Sequence, residues 1–295
     1  MRKKVLVTGG AGFIGSHLCE KLLTFKNSVL CLDDLTTGNI KNINHLLKNK
    51  LFKFIQQDSN IPLKLKVDEI YHLASPTDPS SVKKYSYETL LTNTVGTSNL
   101  LDLAEKNKAK FLFTSTVKVS GDYDKAQPYI QGKKAGEFLC MKYEHIGTKI
   151  ARLSNAYGPR MKIDDSRVIP TFISKCLRNE ELSIWNGGNQ IDSFCYIDDI
   201  IDALISLMES DYSGTFEFGY SGSITIYDLA MIIINKTNSK SPIKTNEINN
   251  EIDNLRKISD IRAAKEYLKW EPKINLEIGL ERTIEYFKGL MKNVE

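Results

Sequence analysis

No run of about 18 apolar residues occurs anywhere in this sequence, which excludes a transmembrane helix on length alone. The opening Met1-Arg2-Lys3-Lys4 is followed only by Val5-Leu6-Val7 before a threonine and glycines. That is too short for the apolar core of a secretory signal, and the expected location is cytoplasmic. The four histidines are isolated, and Cys19, Cys31, Cys140, Cys176 and Cys195 share no C-x-x-C spacing. Neither set argues for a metal site, and an odd number of cysteines in mostly apolar surroundings reads as buried thiols rather than disulfides. Charge is balanced, with 40 basic and 36 acidic residues and a net +4. The basic residues form no stripe, so neither nucleic acid nor an anionic membrane is an expected partner. No internal repeat of about 20 to 50 residues is present, which excludes solenoids and propellers.

What is there is an ordinary globular composition: 295 residues, 41% hydrophobic and 26% charged. Chains of this length tend to split their core, which predicts two lobes. The first half alternates short β-branched runs with longer helical patterns, as a parallel sheet covered on both faces does. Strands are predicted at Lys4-Thr8, Ser28-Leu32, Phe52-Ile55, Glu69-His72, Phe111-Thr114 and Lys149-Leu153. Helices are predicted at Phe13-Thr24, from about Tyr85 to Asn107, and from about Tyr129 to His145. The fold class is α/β, a doubly wound parallel sheet followed by a smaller, mixed α/β lobe. After Pro159 helices are predicted at Val168-Asn179, Asp199-Ser210, Ile226-Asn235, Asp260-Lys269 and Leu276-Leu290, with strands near Leu182-Trp185 and Phe194-Ile197. The Asn-, Lys- and Ser-rich stretch Asn235-Asn254 reads as a surface excursion.

Thr8-Gly9-Gly10-Ala11-Gly12-Phe13-Ile14-Gly15 joins the first strand to the first helix. Glycines at 9, 12 and 15 permit a tight turn, close backbone approach to a pyrophosphate and close helix packing, and the helix N-terminus offers free N–H groups to phosphate. Taken alone the motif also fits a plain strand-helix turn, but the second strand then ends in Leu32-Asp33-Asp34, at the spacing where a carboxylate meets the adenosine ribose. A carboxylate there repels a 2′-phosphate, which favours NAD over NADP. Asp58, closing the third strand, is placed to accept from the adenine amino group or to serve as an ordinary turn aspartate. The expected dinucleotide-binding domain is residues 1–155 with a contribution from about 190–219, and the substrate lobe is residues 156–295.

Tyr129 and Lys133 stand four positions apart, on one helical face. Such a pair is common on solvated helices. Here it follows the hydroxyl cluster Thr114-Ser115-Thr116 at the end of the fifth strand. A phenol of pKa about 10 becomes a base for an alcohol proton only when nearby positive charge stabilises the phenolate. Lys133 is placed to supply that charge and to hold the nicotinamide ribose.

These motifs together resemble the extended short-chain dehydrogenase/reductase family of sugar-nucleotide epimerases, dehydratases and decarboxylases, over nearly the whole chain. Tyr71-His72-Leu73-Ala74-Ser75 is similar to the family's fourth-strand segment along the nicotinamide half of the cofactor. Asn93-Thr94-Val95-Gly96-Thr97 is similar to its central-helix motif, Arg152-Leu153-Ser154-Asn155-Ala156-Tyr157-Gly158-Pro159 to its R-x-x-N-x-Y-G-P segment, and Trp270-Glu271-Pro272 to its C-terminal signature. Within the family, residues 67–76, 92–97, 158–161 and 167–170 most resemble the UDP-glucuronate decarboxylases. The resemblance implies NAD as cofactor, contacted by Gly9, Gly12, Phe13, Ile14, Gly15, Asp33, Asp34, Asp58, Leu73, Ala74, Ser75, Asn93, Tyr129 and Lys133. It implies a nucleotide-diphosphate sugar as substrate, UDP-linked, touched by Ser75, Thr116, Asn155 and Arg256, with Arg256 neutralising the diphosphate. Thr116, Tyr129 and Lys133 are the implied catalytic residues, acting through a transient 4-keto sugar, and a homodimer is the implied assembly.

Four features depart from the decarboxylase pattern. Val117-Lys118 replaces its Ser-Glu, Ser120 replaces a tyrosine, the segment between Asp122 and Tyr129 is short, and Asp192 stands where relatives commonly place an arginine. Epimerisation demands least of the missing groups and is the expected reaction. Decarboxylation and a dinucleotide-binding module without turnover are the alternatives.

Overall fold

The computed structural model describes residues 2–120, 127–247 and 258–292. The first half builds β1 (Lys4–Thr8), α1 (Phe13–Thr24), β2 (Ser28–Asp33), β3 (Phe52–Gln56) and β4 (Glu69–His72). It continues with α2 (Pro79–Lys84), α3 (Ser86–Leu91), a π-helical turn at Thr92–Gly96, α4 (Thr97–Asn107), β5 (Lys110–Thr116), α5 (Pro128–Lys142) and β6 (Lys149–Leu153). β7 (Asn155–Tyr157), α6 (Val168–Leu177), β8 (Leu182–Trp185), β9 (Ile191–Asp192), β10 (Phe194–Tyr196), α7 (Ile197–Glu209) and β11 (Gly214–Phe218) follow. β12 (Ile224–Thr225), α8 (Ile226–Thr237), β13 (Ile243–Asn246), α9 (Arg262–Leu268) and α10 (Leu276–Lys292) complete the described chain.

The main sheet has seven strands in the order β3-β2-β1-β4-β5-β6-β11, every neighbour parallel. Strand order reverses between β1 and β4, and the crevice at the carboxyl ends of these strands is where open α/β sheets bind ligands. Alternation along each strand feeds two cores. Val5, Val7, Val29 and Cys31 face Leu18 and Leu22 of α1, whereas Leu6, Leu30 and Leu32 face Leu100, Leu101 and Ala104 of α4. The first of these cores runs on without a break into α6, α7, α8 and α10, so the C-terminal elements share it. All five cysteines are buried and unpaired as disulfides. No helix among the described residues is long and apolar enough to cross a membrane.

Besides β11, for which the pattern showed no strand, two local features differ from the sequence-based expectation. The single helix expected from Tyr85 is interrupted by the π turn, and the stretch taken for a surface excursion contains β13, which pairs in parallel with β8. β13 has no buried residue and carries Lys, Thr and Asn, so it shows no apolar alternation. The rest of that stretch, from residue 248, lies outside the described residues.

The Trp270-Glu271-Pro272 segment is anchored on α7. Trp270 Nε1 donates to the Asp199 carbonyl at 3.1 Å, and the Asp199 carboxylate accepts from the amides of Lys273 and Ile274 at 3.0 and 2.9 Å. Asp199 is buried. Replacing it with alanine orphans both amides, and Asp199→Ala is expected to cost about 2–4 kcal/mol, read as a lower denaturant midpoint at unchanged slope.

Candidate active site

A long cleft opens over the carboxyl ends of β1, β4 and β5, with roughly 1940 Å³ of empty space counting its open mouth. Its floor at one end is the glycine turn. Gly9 has φ +67°, and a Cβ there would lie 2.8 Å from Ala74 Cα, while one at Gly15 would lie 2.1 Å from the Gly9 carbonyl. The turn is therefore pressed against the segment after β4 and against α1, as a close-approach cradle requires. α1 starts at Phe13 with no side-chain cap, so its first-turn amides open into the cleft. An uncapped helix N-terminus at the end of a left-handed glycine turn fits a dinucleotide pyrophosphate.

Asp33 is buried beside the turn, with Oδ2 accepting from Ala11 N at 3.0 Å and Oδ1 from Leu35 N at 2.9 Å. Burial raises its pKa, while those amide bonds pull it down. Asp33 thus shapes the cradle as well as facing it. Asp34 and Asp58 also line the cleft, yet each spends its carboxylate on a turn of its own: Asp34 on Thr36 and Asp58 on Asn60.

Leu73, Ala74 and Ser75 form the next part of the wall, and Phe13 and Ile14 lie opposite in the same cleft. Asn93 does not line it. Fully buried behind Ser75, Asn93 donates to Ser75 Oγ at 2.9 Å and to the Thr89 carbonyl at 2.7 Å. The π turn turns this amide towards the sheet, and such turns recur at functional positions. A buried chain of hydrogen bonds joins it to the cradle. Thr8 Oγ1 meets His72 Nδ1 at 2.8 Å, His72 Nε2 meets Thr97 Oγ1 at 3.1 Å, and Thr97 Oγ1 donates to the Asn93 carbonyl at 2.9 Å. That last donation leaves Thr97 to accept, which assigns the imidazole proton to Nε2. Burial, reinforced by the Lys133 charge, lowers the His72 pKa to about 3, so the ring is neutral.

Thr116, Tyr129 and Lys133 come together in the same cleft. The Tyr129 hydroxyl hydrogen-bonds Thr116, and burial pushes its pKa up to about 12 against the opposing pull of Arg167 and of that bond. Lys133 is 2% exposed, donates to the Thr114 carbonyl at 2.7 Å, and sits 4.7 Å over the Phe113 ring and 5.9 Å over the Tyr129 ring. Burial lowers its pKa to about 7. In the protein alone desolvation of Tyr129 outweighs the opposing charge of Arg167.

α5 is held against the sheet at two points. Glu137 is buried and clamped by Arg152 through Nε at 2.8 Å and Nη2 at 2.6 Å, and it accepts from Ser115 Oγ at 2.5 Å. A Cβ at Gly132 would meet Asn93 Cβ at 3.1 Å and one at Gly136 would meet Phe113 Cζ at 2.4 Å. Asn155 lines the cleft, with its amide donating to Asp192 Oδ1 at 2.6 Å and to the Ser193 carbonyl at 3.2 Å. Asp192 is buried in that wall. Arg256 and the segment between Gly121 and Ala126 lie outside the described residues.

Sequence reasoning gave no site role to Arg167, Arg152 or Asp78. Arg167 forks onto Asp165 and stands 6.0 Å over the Phe13 ring. Asp78 caps α2 through the Ser81 amide and also accepts from the Ser166 amide at 3.0 Å, which ties the two walls of the cleft together. Arg152 was visible as the first residue of its motif, without its carboxylate partner. Neither of the others had a spacing signal.

The sheet order, the switch-point cleft and the glycine turn place the chain among the doubly wound dinucleotide-binding folds. It belongs to the NAD dependent epimerase/dehydratase family, whose model matches residues 5–219. UDP-glucuronic acid decarboxylase 1 of Arabidopsis thaliana is 37% identical over 311 residues, covering 99% of this chain and 71% of that one. Among solved structures, UDP-glucuronic acid 4-epimerase from Bacillus cereus in complex with UDP-glucuronic acid and NAD superposes with TM-score 0.86 at 29% identity, covering 97% and 99% of the two chains. UDP-glucose 4-epimerase of Thermotoga maritima gives 0.86 at 28%, covering 98% and 99%.

Asp33→Ala is expected to weaken NAD binding, to relax the preference over NADP, and to lower thermal stability because the Ala11 and Leu35 amides lose their acceptor. Parallel cofactor titrations and a melt check this, and an unchanged cofactor preference removes Asp33 from the ribose contact.

Proposed function

We propose that this chain is an NAD-dependent enzyme that modifies a UDP-linked sugar through a transient 4-keto intermediate, and that the reaction is epimerisation at that carbon. The observation that carries the reading is the Thr116–Tyr129 hydroxyl pair, with Lys133 beside it, in the cleft that also holds the dinucleotide cradle. The cradle and Asp33 would hold the adenosine and pyrophosphate part of NAD, with Ser75, Tyr129 and Lys133 at the nicotinamide half. The chemistry that a bound NAD would supply there is hydride acceptance from the sugar's 4-carbon and its return.

Tyr129 accepts the 4-hydroxyl proton on its phenolic oxygen while Thr116 holds that hydroxyl in line. Because the phenol's pKa stands at about 12 in the protein alone, Tyr129 becomes a base only once further positive charge occupies the cleft, which ties proton removal to cofactor binding. Decarboxylation is the second reading. It is favoured by the 37% identity with a UDP-glucuronic acid decarboxylase over almost the whole chain, and it passes through the same ketone.

Tyr129→Phe is expected to lower kcat by about 10²–10⁴-fold with NAD affinity nearly intact. Product analysis of UDP-glucuronate and UDP-glucose incubations checks this and separates the two reactions, and a Tyr129→Phe protein of ordinary activity overturns the reading.

The assembly proposed is a homodimer through α3, α5 and the π turn between α3 and α4. Tyr87, Leu90, Val95, Phe138 and Met141 expose large apolar side chains there, Tyr87 at 68% and Phe138 at 56%. Phe138→Glu is expected to halve the sedimenting mass, and a wild-type monomer overturns the dimer.

A further inference from the structure

We propose that the buried ion pair of Glu137 and Arg152 sets the charge that Lys133 carries, Glu137 favouring the ammonium form and Arg152 limiting how strongly it does so. Both are positioning residues that act through Lys133, and the consequence for catalysis rests on the role given above to Tyr129 and Lys133.

Placement comes first. Lys133 and Glu137 stand four positions apart on α5, which puts both side chains on one face of the helix. At the end of β5 they meet adjacent residues. The Lys133 amine donates to the Thr114 carbonyl at 2.7 Å, and Glu137 accepts from Ser115 Oγ at 2.5 Å. Arg152 of β6 grips the same carboxylate through Nε at 2.8 Å and Nη2 at 2.6 Å, and its Nη1 lies 3.9 Å from Glu217 of β11. The Glu137 and Arg152 side chains are 4% and 22% exposed, so salt and solvent screen their field on the amine only weakly.

Charge decides what that contact does. Burial lowers the Lys133 pKa to about 7, while Cys140 and then Glu137 oppose it. Burial pushes the Cys140 thiol well up, so it brings no negative charge at neutral pH, and the opposition falls to Glu137. His72 of β4 is neutral, its pKa lowered to about 3 by burial and by Lys133 itself. Tyr129, one turn before Lys133 on α5, keeps its proton in the protein alone, and Arg167 acts on it from across the cleft. Asn93 and the Phe113 ring complete the surroundings of this face without a net charge. An unpaired carboxylate at Glu137 would hold the proton on Lys133 firmly. Paired with Arg152, it leaves the amine able to gain and lose that proton near neutral pH.

An NMR titration of the NAD-loaded protein, isotope-labelled at lysine Cε, follows Lys133 directly, its resonance being the one absent from Lys133→Met. Glu137→Gln keeps the shape and loses the negative charge, and is expected to lower the Lys133 midpoint by about one pH unit. Arg152→Gln leaves Glu137 its charge and a donor, and is expected to raise the midpoint by about as much. Breaking one ion pair from its two ends thus moves the midpoint in opposite directions, which loss of packing cannot do. Arg152→Lys, which keeps the charge, and Ser115→Ala, which loosens the same clamp without removing a charge, are expected to leave the midpoint close to that of wild type. Midpoints that move the same way in both glutamine variants, or move in neither, overturn the proposal. If a single variant does not fold, the Glu137→Gln/Arg152→Gln double variant leaves no buried charge unpaired. Its midpoint is expected below that of wild type, and an unchanged one overturns the proposal. In turnover the sign follows from the need for a charged Lys133 beside the phenolate: kcat falls as pH rises through the Lys133 midpoint. That falling limb is expected at lower pH in Glu137→Gln and at higher pH in Arg152→Gln. Opposite midpoint shifts with an unmoved limb uphold the proposal and overturn the role given to Lys133, so the two failures are distinguishable.

Discussion

Burying the Lys133 amine beneath the end of β5 carries a desolvation cost, and the surroundings offset it only in part. The Thr114 carbonyl takes one N–H, the Phe113 ring offers its face, and Glu137 lies near enough to favour the charge. The uncompensated part lowers the pKa of the amine to about 7. A fully solvated lysine would hold its proton without exerting much field. A lysine in this position acts at low dielectric, where its charge counts for more.

That placement depends on α5 keeping one position against the sheet, and two buried polar assemblies enforce it. Glu137 with Arg152 and Ser115 ties the helix to β5 and β6. Behind it, the line from Thr8 through His72 and Thr97 to Asn93 ties the glycine turn's own strand to the π turn. Each member of that line has a donor or acceptor duty that the neutral imidazole can meet, and a protonated ring could not accept from Thr8. The glycine turn and α5 are therefore set through a shared neighbour, Asn93, which Gly132 of α5 packs against.

The parallel strands of the first half and the cradle were legible because glycine spacing, strand periodicity and the Asp33 position each report a backbone requirement that leaves a local mark. β1, α1, β4 and the Tyr129 helix stand where the pattern put them. β11 and β13 were not legible, since both are edge strands, β11 beginning on two exposed residues and β13 having no buried residue to mark an alternation. At the site, residue type located Thr116, Tyr129 and Lys133, yet it could not tell that Asn93 lies behind the wall or that Asp58 spends its carboxylate on Asn60. Partners such as Arg152 with Glu137 and Asp78 with Ser166 lie far apart in the chain, and spacing carries no trace of them.

Tyr129, Gly132, Lys133 and Gly136 fall on one stripe of α5, the same stripe that packs against Phe113 and Asn93. The cleft-lining groups Tyr129 and Lys133 and the contact surface of this helix are thus inseparable, and any bulk added to the stripe displaces both at once. Divergence towards new sugars has little freedom here. Bulk added in the turn after β5 or in the opposite wall falls outside that stripe.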